Sequence, residues 1–138
     1  MVAAGLGGSI VNVTSIEAHR AAPRFAAYVA AKAGVANFTK TSALELAEHG
    51  IRVNTVVPAE VWTPMYDSWI QTVENPEETL SAIRARIPLG QRMTSAEELG
   101  HAIGFLAPSP YGQNTCPVHH NTAALVPIGH PHAHRAQA

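Results

Sequence analysis

Ser9-Ile10-Val11-Asn12-Val13-Thr14, and then Gly50-Ile51-Arg52-Val53-Asn54-Thr55-Val56-Val57-Pro58 after a long helix-forming run, decide how this chain folds. The first stretch is short and nearly continuously apolar, the pattern of a strand buried on both faces in a parallel sheet. Residues 16–24 mix polar groups with Pro23 and read as a loop. From Ala26 to His49 the chain is rich in Ala, Leu, Glu and Lys, and Gly50 is a natural helix stop. Ile51 to Val57 is then a β-branched strand closed by Pro58. Strand, long helix, strand is a βαβ unit with a right-handed crossover. Downstream, Asn75-Pro76-Glu77-Glu78 opens a helix to about Ile87, its acids near the positive end. Thr94 or Ser95 caps another helix running to about Leu106, and Ser95-Ala96-Glu97-Glu98 resembles a capping box.

Within this frame Ser15 ends the first strand, while Tyr28 and Lys32 lie one turn apart on one face of the long helix. A phenol is a weak acid–base group at neutral pH, and a cation held close favours its ionised form. Ser15 offers a hydroxyl to hold a substrate oxygen, at the strand end where open α/β sheets bind ligands. Taken singly these residues have plainer readings. A Tyr-x-x-x-Lys pair arises readily by chance, and a lone serine here is commonly a turn or helix cap.

The ordered series is what carries weight. Gly8-Ser9-Ile10-Val11-Asn12-Val13-Thr14-Ser15, Ala27-Tyr28 through Lys32-Ala33-Gly34, Leu44-Glu45-Leu46-Ala47, Gly50 to Pro58, Pro88-Leu89-Gly90-Gln91-Arg92 and Glu97-Glu98-Leu99 follow one another. This set resembles the classical short-chain dehydrogenase/reductase family from Gly8 to about Leu106. The resemblance implies an α/β fold, here the C-terminal catalytic half of a Rossmann-like doubly wound parallel sheet over residues 1–106. It also implies nicotinamide-dependent oxidation of an alcohol, or the reverse reduction of a carbonyl, with NAD or NADP as cofactor. By that match Tyr28 is the general acid/base, Lys32 supports it and bonds the nicotinamide ribose, and Ser15 orients the substrate oxygen. The loop after Pro58 would hold the nicotinamide amide through the Val61 backbone and the Thr63 hydroxyl. Thr63-Pro64 also reads simply as a turn. Ala59 replaces the family's usual glycine and reduces backbone freedom there. Arg52 and Asn54 are expected to be structural. Trp62, Tyr66 and Trp69 fall where the family's substrate lid begins, and read equally as pocket lining or core. The segment Pro58 to Pro64 with Trp69-Ile70 looks most like members that oxidise sugars such as L-fucose. Relatives of this type commonly pair through the Tyr-bearing helix, so a homo-oligomer is expected, using the Ala-rich face between Ala26 and Ala47.

Several family parts are not seen. No glycine-rich phosphate turn precedes Ser9, and Gly5-Leu6-Gly7-Gly8 leads into a strand rather than a helix, so it reads as a loop. The NAD/NADP selector and the proton-relay asparagine upstream of the Ser strand are absent too. The expectation is therefore a fragment with impaired cofactor binding, its Met1 an internal start.

The chain of 138 residues is 46% hydrophobic and 14% charged, with net charge −1, which suits one globular domain. No basic block points to nucleic acid or an anionic membrane surface, and no stretch is long and apolar enough to span a bilayer. A single cysteine, Cys116, and the lack of a signal-peptide pattern point to a reducing cytoplasm. Composition breaks at Ala107: of 19 Asp, Glu, Lys and Arg residues only Arg135 follows, with five of ten prolines and five of eight histidines. Residues 107–138 are therefore read as an atypical tail from a shifted frame or a divergent end. Within it Ala123 to Val126 is a possible strand, and the family's apolar-Asp-Gly-Gly ending is missing. His130, His132 and His134 lack a nearby Cys or carboxylate, so no metal site is assigned. Two other functions compete with an enzyme: a helix-mediated interaction module, and a weaker metal-binding reading of those tail histidines.

Overall fold

The computed structural model describes residues 1–107, Thr115 and residues 118–121, the last four as backbone alone. Strand β1 (Gly8–Val13) leads through a 3-10 turn at Ile16–Ala18 into helix α1 (Ala26–Leu46). A further 3-10 turn, Ala47–His49, ends at Gly50, whose left-handed φ of 65° lets the chain turn into β2 (Ile51–Pro58). The loop closes tightly: a Cβ on Gly7 would stand 2.8 Å from the Gly50 carbonyl oxygen. The Gly5–Gly8 run is thus a packing element against this turn, and it enters a strand as expected.

β1 and β2 pair in parallel with Gly8 opposite Ile51 and Val13 opposite Val56. On the other side of β2 lies β5 (Val118–Asn121), also parallel, giving the order β1-β2-β5. The sequence reading placed a possible tail strand at 123–126, outside the described residues, and missed β5. Val118-His119-His120-Asn121 carries no strong strand signature, and its pairing with the apolar Thr55–Pro58 edge is a tertiary effect. Thr115 takes part as well, its Oγ1 accepting from the Val53 amide at 3.2 Å.

β2 is buried along nearly its whole length, as a central parallel strand must be. Ile51 and Val53 pack with Ala43 of α1, and Ile10 and Leu46 close this cluster. The intervening Arg52 points to the other face. There its guanidinium donates to the carbonyls of Leu106 (3.0 Å) and Ala107 (3.2 Å), the C-terminus of helix α4 (Ala96–Leu106). Successive residues of one strand therefore meet helices on opposite faces, which makes the sheet doubly wound. The side of α1 that meets the sheet is made of Ala36, Thr39, Ser42 and Ala43, small residues that let the helix sit close.

Three elements of the middle segment were not foreseen. β3 (Val61–Trp62) pairs in parallel with β4 (Thr94–Ser95), and α2 (Pro64–Ile70) follows directly. α3 (Pro76–Ala85) lies where expected, with Asn75 at its start. α4 has the full capping box: Ser95 Oγ accepts from the Glu98 amide at 3.1 Å, and Glu98 Oε2 accepts from the Ser95 amide at 2.8 Å. No helix among the described residues is long and apolar enough to cross a membrane.

Candidate functional site

The carboxyl ends of β1 and β2 form one edge, and a web of side chains pins it. Thr14 Oγ1 lies 3.2 Å from Thr55 Oγ1 and donates to the Val56 carbonyl, also at 3.2 Å. Asn12 Nδ2 donates to Thr39 Oγ1 at 2.9 Å, tying β1 to the middle of α1. Thr39 in turn donates to the Val35 carbonyl within its own helix. These buried threonines and the asparagine satisfy one another, so the strand ends are held without freedom to slide.

Ser15 follows this pinned end and is buried. Its Oγ caps the Ile16–Ala18 turn by accepting from the Glu17 amide at 3.2 Å. The capping reading is therefore correct, and it is compatible with a second task. Accepting through a lone pair leaves the hydroxyl proton to be donated elsewhere.

Lys32 reaches back from α1 and donates from Nζ to the Val13 carbonyl at 3.1 Å. The same ammonium stands 5.7 Å from the centroid of the Tyr28 ring, a cation–π approach. Tyr28 is exposed and meets Phe25 edge-on at 6.4 Å between ring centroids. Lys32 thus joins the phenol of α1 to the end of the strand that delivers Ser15. No hydrogen bond joins the Ser15 and Tyr28 hydroxyls.

The loop after β2 is the facing side. Pro58, Val61 and Thr63 are all half-buried. Glu60 accepts from the Thr94 amide through its backbone carbonyl at 3.0 Å, so the β3–β4 bridge tethers the loop to the start of α4. Thr63 is the N-cap of α2, its Oγ1 accepting from the Tyr66 amide at 3.2 Å with Pro64 opening the helix. Thr63-Pro64 is accordingly a helix start rather than a simple turn. Ala59 is not in the left-handed region, so the glycine expected there is not needed.

Glu17, Arg20 and Glu60 were not singled out from the sequence. Glu17 and Arg20, three residues apart, form a close ion pair through Glu17 Oε1. The bond to Glu17 and the nearby charges of Glu17 and Glu60 raise the Arg20 pKa, against some desolvation. Glu60 Oε2 accepts from the Tyr66 hydroxyl at 3.2 Å. Burial first, then the Glu60 carboxylate, pushes Tyr66 above the ordinary phenol range and keeps it a neutral donor. The only sequence hint of this cluster is charge spacing within segments otherwise read as loop.

Residues 1–115 match a family model described as enoyl-(acyl carrier protein) reductase. The chain is 36% identical over 115 residues to estradiol 17-beta-dehydrogenase 8 of Callithrix jacchus, covering 83% of this chain and 81% of that one. It is also 36% identical to the (3R)-3-hydroxyacyl-CoA dehydrogenase of Canis lupus familiaris, where the same 83% of this chain meets only 42% of the relative. A short-chain dehydrogenase/reductase structure from Burkholderia xenovorans superposes with a TM-score of 0.83 at 33% identity, over 89% of this chain and 47% of that one. The chain thus spans less than half the length of the dog and Burkholderia proteins. On the matched family model, these relatives and the doubly wound parallel sheet, the chain belongs to the short-chain dehydrogenase/reductase family.

Proposed function

We propose that this edge carries out proton transfer in the nicotinamide-dependent interconversion of an alcohol and a carbonyl. The observation that carries the reading is the Lys32 ammonium, held at 3.1 Å on the Val13 carbonyl and 5.7 Å from the Tyr28 ring. In the oxidative direction Tyr28 takes the proton of the substrate hydroxyl. Lys32 places its positive charge beside the phenol ring as that proton moves. Ser15, with one lone pair engaged by the Glu17 amide, donates its proton to the substrate oxygen and keeps it aimed. Hydride acceptance from the carbinol carbon is the chemistry that a bound NAD or NADP supplies. Tyr28 and Lys32 would hold its ribose, and Pro58, Val61 and Thr63 its nicotinamide end. That loop is suited to the task because the β3–β4 bridge and the α2 cap hold it in shape. The relatives' names cover a steroid and a hydroxyacyl thioester. For this chain we favour a sugar alcohol carbon within the general alcohol/carbonyl class.

The test is cofactor reduction followed by absorbance with NAD and with NADP over a panel of alcohols. Tyr28→Phe should lower turnover by about 10²- to 10⁴-fold. Turnover that survives this change would refute the assignment.

A second reading has its own observation. Ala27, Ala31, Gly34 and Phe38 are exposed along one stripe of α1, and nothing lies within 4 Å of a Cβ placed on Gly34. Ala36 and Ala43 face the sheet instead. This outward stripe suits close pairing with the same helix of a second copy, whether or not that assembly is catalytic.

A further inference from the structure

Ser15 leaves β1 in extended backbone and starts a turn of only three residues, Ile16–Ala18. Two backbone bonds close that turn, from the Ala18 amide to the Ser15 carbonyl at 2.9 Å and from the His19 amide to the Ile16 carbonyl at 3.0 Å. A 3-10 turn this short has little stability of its own. No helix or strand follows until Ala26, so the stretch from His19 to Phe25 gives it no regular support. The side-chain tie across the turn is Arg20, two residues past its end. Its Nε donates to Glu17 Oε1 at 3.0 Å, and Nη2 makes a second, close bond to the same oxygen.

Glu17 is therefore engaged at both of its ends. Its backbone amide donates to Ser15 Oγ at 3.2 Å, and its carboxylate is held by Arg20. The other carboxylate oxygen, Oε2, is buried and accepts no hydrogen bond among the described residues. A carboxylate sunk in this way is costly to keep unless a cation compensates it, and Arg20 is the cation in contact. Without Arg20, Glu17 gains by swinging its carboxylate into water, and the turn that carries its amide loosens. The Ser15 hydroxyl then loses its fixed donor and rotates, so its proton no longer points in one direction.

Resting on the oxidoreductase reading of this edge, we infer that Arg20 is a positioning residue for Ser15: through Glu17 it locks the serine hydroxyl in the orientation that offers its proton to the substrate oxygen.

The first measurement needs no turnover. Protection of the residue-17 amide from hydrogen exchange is followed by NMR in the full chain. Arg20→Gln should lower it by about fivefold or more, as loss of one modest hydrogen bond does. Glu17→Ala breaks the same pair from its other end and should lower it alike, which decides the matter even should Arg20→Gln fail to fold. Because both bonds end on one oxygen, Arg20→Lys should keep protection within about twofold of wild type. Unchanged protection in Arg20→Gln or in Glu17→Ala overturns the inference. Turnover supplies the second measurement. Arg20→Gln should lower kcat by about tenfold, while KM for the alcohol and for the cofactor stays within about twofold. In a Ser15→Ala background the same change should cost less than about twofold, since the group it positions is gone. An equal fall in both backgrounds overturns the inference, because Arg20 then acts elsewhere. Lost protection in a chain whose wild type turns over no alcohol removes the oxidoreductase reading alone and leaves Arg20 as the residue that orients Ser15.

Discussion

Ser15, Tyr28 and Lys32 do different amounts of structural work, and that separates what their replacement should do. Lys32 makes one hydrogen bond, to a strand-end carbonyl, at a half-buried position. Lys32→Met should therefore cost no more than about 1 kcal/mol of stability in urea unfolding. Turnover in the same variant should fall by about 10²-fold or more, because the field at the phenol is lost. A fall in stability that fully accounts for the lost activity would instead make Lys32 a purely structural tether. Ser15 is the harder residue to read from sequence, because capping and the proposed chemistry would use the same oxygen. Only the bond from the Glu17 amide reveals that both uses are compatible. The relation of Glu60 to Glu17 and Arg20 stayed hidden because it runs from one loop to another, which no local spacing encodes.

At the scale of elements, α4 is held at both ends by groups that sequence and structure report differently. Its start was legible, since a capping box is a local pattern: Ser95→Ala should cost about 1 kcal/mol, checked by chemical denaturation. Arg92 completes this start through bonds of 2.8 and 2.5 Å to the Glu98 carboxylate. That side-chain bond, with the Ser95 amide, holds Glu98 at about 2 against the ordinary 4.5. A depressed folded-state value means stabilisation present above pH 4.5 and lost as pH falls towards 2. The difference in urea midpoint between wild type and Glu98→Gln should accordingly shrink between pH 7 and pH 2. The far end of α4 is closed by Arg52, whose buried guanidinium covers the Leu106 and Ala107 carbonyls. Arg52→Met leaves those carbonyls uncapped and should cost about 2 kcal/mol or more, read from the same unfolding curves. The expectation that Arg52 is structural thus acquires a mechanism.

For the molecule as a whole, the outward stripe of α1 is the surface to probe. Phe38→Glu places a charge on an exposed apolar side chain and removes nothing from the core. If the stripe pairs copies of the chain, the variant should sediment at lower mass than wild type, with an unchanged far-ultraviolet spectrum. Equal masses would count against pairing through this helix. The sequence by itself determined the βαβ unit, its long helix and the capped start of α4, because hydrophobic period, propensity and caps act over neighbours in the chain. It also placed Tyr28 and Lys32, the pair proposed for the proton chemistry, one helical turn apart on the same helix. The tertiary structure alone decided that β5 joins β2, that β3 bridges to β4, and that two loops bring Glu60 near Glu17 and Arg20. Those arrangements join residues far apart in sequence, and their energy exists only once the parallel strands have set the distance between them.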